Sequence, residues 1–341
     1  MLLAIAVLIG SACAVSDRST SPTTPAPASS TTAASVAVTS AAAAQRWQRI
    51  ADIPTPRSEV AAAVFRDAIY VIGGFGGPNI VERYLPATDR WERQPDLPIG
   101  VDHPMAAAIT AGPHAGVYVI GGNTSGGATA RAFRLDPDTS RWREIAPMPA
   151  PRSAAAAVAI EDAVRDAPPA QPRIYVVGGA NGAQLQAATL EYDPAVNAWR
   201  TRQAIPTPRD HLAGVRFEGG VCAIGGRELS LSRNLGAFEC YDPARESWQR
   251  LPQAPTPRGG VGAAVVEGGT VFFIGGEQPS GTFREVEVFA RDTRTWSRGP
   301  DLPTPRHGIG VGAFGAAVYV LSGGPTPGGS QTAVCEVLRL R

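Results

Sequence analysis

An all-β, six-bladed propeller, a closed ring of four-stranded sheets, is the fold class this sequence predicts. Three observations carry the prediction. Six Gly-Gly pairs, at 73–74, 121–122, 178–179, 225–226, 275–276 and 323–324, each close a short apolar run such as Tyr70-Val71-Ile72. Successive pairs stand 48, 57, 47, 50 and 48 residues apart, a period near that of a propeller blade. A tryptophan follows each of the first five pairs (Trp91, Trp142, Trp199, Trp248, Trp296), and Trp47 precedes them all.

The first elements stand outside the ring. Residues 2–9 form an apolar run too short to span a bilayer, followed by small residues, so 1–14 reads as a signal peptide. Gly10-Ser11-Ala12-Cys13 resembles a bacterial lipoprotein cleavage box in which Cys13 is acylated; Ala12-Cys13-Ala14 would equally serve an ordinary signal peptidase. Residues 15–45 are almost wholly Ser, Thr, Ala, Pro and Val, a composition that cannot bury a core. They read as a flexible linker with a reach of roughly 30 Å. The expected location is therefore exported, either lipid-anchored in the cell envelope or secreted.

The propeller is expected over 46–341. Within its first unit, strands are predicted over 60–65, 69–72 and 80–85, with a fourth around Trp91, because these runs are rich in Ala, Val, Ile and Tyr and are bounded by Gly, Pro and Asp. Gly-Gly ends the second strand, where the backbone must turn with positive φ or pass close to its neighbour. The third unit carries an expanded loop at 161–172, read as a tolerated insertion. The chain enters the ring with a lone fourth strand at Trp47 and leaves after a third strand (333–340) with no tryptophan behind it. The two ends should therefore share one blade, which abolishes open sheet edges.

A formal net charge of +1 and a pI near 7.7 leave no global field, which disfavours nucleic acid or an anionic membrane surface as a partner. Every one of the 31 basic residues is arginine, which excludes lysine Schiff-base chemistry. No cysteine spacing suits a structural metal. Cys222 and Cys240 fall on adjacent strands and would either form a disulfide or remain buried thiols.

Tyr-Val-Ile-Gly-Gly at 70–74, Glu-Arg-Tyr at 82–84 and Arg-Trp at 90–91 resemble the kelch family, as do Glu-Tyr-Asp-Pro at 191–194 and Cys-Tyr-Asp-Pro at 240–243. The resemblance covers 47–341. It implies that the loops entering the first strand and those between the second and third strands share one face. Five units carry Pro-Arg there, at Arg57, Arg152, Arg209, Arg258 and Arg306; the second has Val101 in that place. In some kelch propellers such arginines capture acidic ligands, so these five, with Arg227, are candidates for an arginine-lined binding face. The other reading pairs them with acids, for which Glu59, Asp102, Asp210 and Glu277 are the candidates.

His103 and His211 stand two places after the arginine column, with Glu59 at the same position in the first unit, and His307 lies beside them. Such a set could hold a metal or move protons across the channel, but the expectation is solvated or salt-bridged side chains, with no metal and no cofactor. The copper-radical chemistry of galactose-oxidase-like kelch enzymes is not expected, because Cys240 and Tyr241 are consecutive on a strand and point to opposite faces. The function expected is a non-catalytic module that binds a protein or an anionic small molecule or glycan. The alternatives are an acidic-sugar enzyme like the sialic-acid mutarotases, and a structural envelope module.

Overall fold

The computed structural model describes residues 46–161 and 171–340. The expected signal peptide with Cys13, the linker 15–45 and residues 162–170 of the expanded loop lie outside the described residues.

Six antiparallel sheets of four principal strands follow one another along the chain. In the first, Ala61–Phe65, Ala68–Ile72, Val81–Leu85 and Arg90–Arg93 pair in sequence order, within a residue or two of the bounds predicted. In the sixth, Gly310–Ala313, Ala317–Leu321 and Cys335–Arg339 are completed by Trp47–Arg49 from the other end of the chain. Trp47 lies opposite Leu338 and Arg49 opposite Glu336, so the ring closes as the sequence predicts.

The second strands are buried on both faces because each blade is sandwiched between two others. The core is accordingly six apolar layers, one at each blade boundary. Ile72, Val81 and Tyr70 meet Val117, Val119 and Leu135 at the first of these. Ile69, Val71 and Tyr84 meet Tyr319, Leu321 and Val337 where the ring closes.

The recurrent tryptophans have a specific task. Each indole N–H donates to a carbonyl in the segment that leaves the preceding blade: Trp91 to Ala51, Trp142 to Pro95, Trp199 to Ala146, Trp248 to Gln203, Trp296 to Pro252 and Trp47 to Pro300, at 2.7–3.0 Å. The ring is thus bolted at all six boundaries by an amphipathic side chain whose apolar body packs while its polar edge is satisfied.

Cys222 and Cys240 are direct cross-strand partners and are joined by a disulfide, which resolves the alternative left by the sequence. Cys335 is a buried free thiol, and burial pushes its pKa up to about 11.

Candidate functional site

The five arginines are not on the face. Arg57, Arg152, Arg209, Arg258 and Arg306 are essentially inaccessible, which corrects the reading of an arginine-lined surface. Each side chain turns back into its own blade and ties the end of the second strand to the third. Arg57 donates from Nη1 to Gly73 O and Ile80 O, and from Nη2 to Glu82 Oε2 at 2.8 Å. Arg209 meets Glu239 at 2.6 Å, Arg258 meets Glu287 at 3.0 Å and Arg306 meets Glu336 at 2.5 Å. The second carboxylate oxygen accepts from the threonine two residues before the arginine: Thr55, Thr207, Thr256 and Thr304.

The partners are therefore third-strand glutamates, not the acids the sequence reading proposed. Their signal was a glutamate two residues before the aromatic or Leu of the third strand, in Glu82-Arg83-Tyr84, Glu239-Cys240-Tyr241, Glu287-Val288-Phe289 and Glu336-Val337-Leu338. Two blades depart from this set. The second has Val101 and Phe133 in the two positions, and the third keeps Arg152 but has Leu190 and Ala150 in place of the glutamate and threonine. Burial pushes Arg152 down to about 10, with no charge partner among the described residues to offset it. Arg57 also falls to about 10, burial outweighing Glu82.

Two residues beyond the arginine column the chain builds something different. Glu59, His103, Ala154, His211, Gly260 and Gly308, one from each blade, all have φ between 49° and 68°. This left-handed turn aims each backbone N–H at the carbonyl of the equivalent residue in the preceding blade: His103 to Glu59, Ala154 to His103, His211 to Ala154, Gly260 to His211 and Gly308 to Gly260, at 2.8–3.0 Å. Val60 N closes the circle onto Gly308 O at 3.4 Å. Only two of the six are glycine, so four L-residues hold a conformation that costs each roughly 1–2 kcal/mol. Small size is demanded at Gly308, where a Cβ would lie 2.5 Å from Glu59 N.

These six residues line a cavity of about 70 Å³ on the axis. Above it, a depression of about 700 Å³ opens between the loops, lined by Phe75, Asn123, Asp210, Arg227, Leu229 and Glu277 together with Glu59, His103 and His211. The charged groups of the two spaces form one network. His103 Nδ1 is 2.6 Å from Asp102, and its Nε2 is 3.3 Å from Glu59 Oε2. His307 places Nδ1 2.8 Å from Glu59 Oε1 and Nε2 3.1 Å from Thr326 O. His211 Nδ1 donates to Asp210 at 2.6 Å, and its Nε2 accepts from Arg227 Nη2 at 2.8 Å. Arg227 Nη1 pairs with Glu277 at 2.7 Å.

The protonation states follow from these partners. Both nitrogens of His103 and of His307 face acceptors, so each is raised above the ordinary histidine value; burial opposes this, but Glu59 with Asp102, and Glu59 with Glu277, outweigh it. His211 is lowered, by burial first and then by His103 and Arg227. Glu59 is held far below the carboxylate range, because His103, His307 and His211 overcome the cost of its burial. The structure thus brings Glu59, His103, His211, His307 and Arg227 together, held by ion pairs and hydrogen bonds rather than solvated, and leaves the five column arginines out.

The comparisons with known proteins agree with this architecture. The family model for the KLHDC2/KLHL20/DRC7 Kelch-repeats domain matches residues 108–324, and the Kelch motif matches 56–98. The chain belongs to the kelch-repeat family. Among curated kelch relatives, Kelch-like protein terF of Aspergillus terreus is 29% identical over 51% of this chain and 39% of its own length. Kelch-like protein 35 of Mus musculus is 30% identical over 53% of the chain and 29% of its own length, and beta-scruin of Limulus polyphemus is 30% identical over 55% and 22%. The chain thus spans well under half the length of these relatives. The solved structure of YjhT superposes with a TM-score of 0.70 at 16% identity, covering 84% of this chain and 95% of that one, which speaks for the kelch propeller fold alone.

In this kelch propeller the site falls at positions where the repeats differ. Phe75, Asn123, Arg227 and Glu277 each follow their Gly-Gly pair directly, and of these the sequence singles out only Arg227 and Glu277 as charged candidates for this face. Phe75 stacks edge-on against His103 with ring centroids 5.3 Å apart. Arg227 and Glu277 are the arginine–glutamate pair that this face does present.

Proposed function

We propose that the protein is an exported bacterial kelch propeller that captures a polypeptide segment of a partner in the depression over its channel mouth. One observation carries the reading. Among the described residues three large apolar side chains are exposed, and two of them, Phe75 and Leu229, stand at this depression above a floor of charged groups. Apolar anchors over a few convergent polar groups suit a peptide, whose side chains and backbone can use both. An acidic glycan has less to meet than the sequence suggests, because the column arginines are buried and the floor carries Glu59, Asp210 and Glu277. The Cys222–Cys240 disulfide supports an oxidising compartment, and the 15–45 linker would hold the propeller clear of a membrane if Cys13 is acylated.

A displayed random-peptide library panned on the full chain is expected to yield sequences whose binding weakens at least tenfold in Phe75→Ser/Leu229→Ser at an unchanged melting temperature. Recovery of no binders, or of binders indifferent to the double change, overturns the reading and favours a structural role. Metabolic labelling with an alkynyl fatty acid, lost in Cys13→Ser, distinguishes a tethered chain from a secreted one.

A further inference from the structure

We propose that Glu59, His103 and His211 form a binding site for one divalent transition ion of the zinc class on the propeller axis. The three side chains come from blades 1, 2 and 4, and their donor atoms all lie within 4.8 Å of one another. Ala154, the intervening ring residue, is small enough to let the two imidazoles approach to 4.9 Å between centroids. His103 Nε2 and Glu59 Oε2 are 3.3 Å apart. Two ligands of a tetrahedral ion bonded at 2.0–2.2 Å are separated by about 3.3–3.6 Å, so this pair already spans one edge of such a site.

The surroundings have the form that a metal-binding histidine needs. In both residues Nδ1 is fixed at 2.6 Å from the aspartate immediately before it, Asp102 or Asp210. A carboxylate on Nδ1 sets the tautomer and ring angle that present Nε2 to an ion and raises its basicity. Asp102 is itself held by Asn123, and Asp210 by the Leu229 amide, so the supports are rigid. Two imidazoles and one carboxylate suit zinc, cobalt or nickel and do not suit calcium or magnesium. The same three residues border both the axial cavity and the depression above it, which leaves a fourth position for water or a ligand. Arg227 Nη2, which meets His211 Nε2 at 2.8 Å, competes with the ion; its other nitrogen keeps the Glu277 pair when it swings aside. The ion site does not depend on a peptide entering the depression.

The test uses the full chain, stripped with a chelator and titrated with zinc by calorimetry and with cobalt by visible absorption. About one equivalent of zinc is expected, with cobalt giving the intense d–d bands of a four-coordinate site. His103→Gln and His211→Gln should each weaken binding at least tenfold. Asp102→Asn, which leaves every ligand in place, should weaken it by roughly ten- to a hundredfold. Arg227→Gln should bind as tightly as wild type or more tightly. Failure of the full chain to take up either ion overturns the assignment, as does binding that survives unchanged in His103→Gln and His211→Gln.

Discussion

The same substitution, arginine to methionine, should have very unequal consequences in adjacent blades. Arg209 is fully enclosed, with Glu239 at 2.6 Å and carbonyl acceptors at Gly225 and Ala223. Arg209→Met leaves the Glu239 carboxylate buried, supported among the described residues only by Thr207 and by exposed Arg250 at 3.4 Å. Breaking a buried pair from one side costs about 3–5 kcal/mol. Arg152 sits in the equivalent socket with Leu190 in place of the acid, and makes two bonds to the carbonyls of Gly178 and Ala188. Its Nε has no partner, and among the described residues no carboxylate pairs with it. Arg152→Met strands no counter-charge, and the lost carbonyl bonds are offset by relief of a buried, unpaired cation, a net change within about 1 kcal/mol. At roughly 2 °C per kcal/mol for a domain of this size, calorimetry should find Arg209→Met lowered by about 6–10 °C and Arg152→Met by about 2 °C or less. Arg209→Met/Glu239→Leu, which copies the apolar filling by Val101 and Phe133 in the second blade, should recover most of the loss. Equal shifts for the two single variants would refute the reasoning, since they would mean that the acid contributes nothing.

Three further outcomes are expected. A chain beginning at residue 51 loses the closing strand and Trp47, a deficit of about 3 kcal/mol or more from the tryptophan alone, and light scattering should show it aggregating where a chain beginning at 45 does not. Cys222→Ala/Cys240→Ala should unfold with a stability lower by about 3 kcal/mol, read from urea midpoints under oxidising conditions, and dithiothreitol should erase the difference. In the axial ring, Ala154→Gly should stabilise by about 1 kcal/mol by relieving a φ of 51°, whereas Gly308→Ala should lower the melting temperature because its Cβ meets Glu59 N at 2.5 Å.

The ring, its closure and the strand positions were legible because they rest on local signals that repeat: apolar runs, Gly-Gly and Trp. The histidine cluster was legible as an alignment of His103, His211 and Glu59 on one column, but its proximity was not, because the approach across the axis depends on the left-handed turn that every blade makes there. The error concerned side-chain direction. The sequence suggests arginines lining an exposed binding face, yet the turn that sends residues 59, 154 and 211 to the axis sends the arginine two residues earlier back into the blade. The glutamates that receive it lie 25–30 residues further on, beyond the reach of any short motif.

The repeats themselves supply the criterion that separates scaffold from site. A position that must do the same mechanical work in each blade is filled alike: the Gly-Gly turn and the tryptophan that bolts each boundary in all six, and the arginine with its glutamate and threonine in four. In the second blade the whole set changes together, to Val101, Phe133 and Ile99, whereas the third keeps Arg152 and replaces the glutamate and threonine with Leu190 and Ala150. The position directly after Gly-Gly behaves otherwise, reading Phe75, Asn123, Ala180, Arg227, Glu277 and Pro325, and so does the axial ring, reading Glu59, His103, Ala154, His211, Gly260 and Gly308. The second set holds one backbone conformation with four residue types, and apart from Gly308, where a Cβ would strike Glu59, its variety does not come from the fold's mechanical needs. Both sets border the depression and the axis, where the six copies of the unit act together on one object rather than separately on their neighbours. A ring that recognises something asymmetric must break its own symmetry at the surface of contact, and in this chain it does so at these two columns.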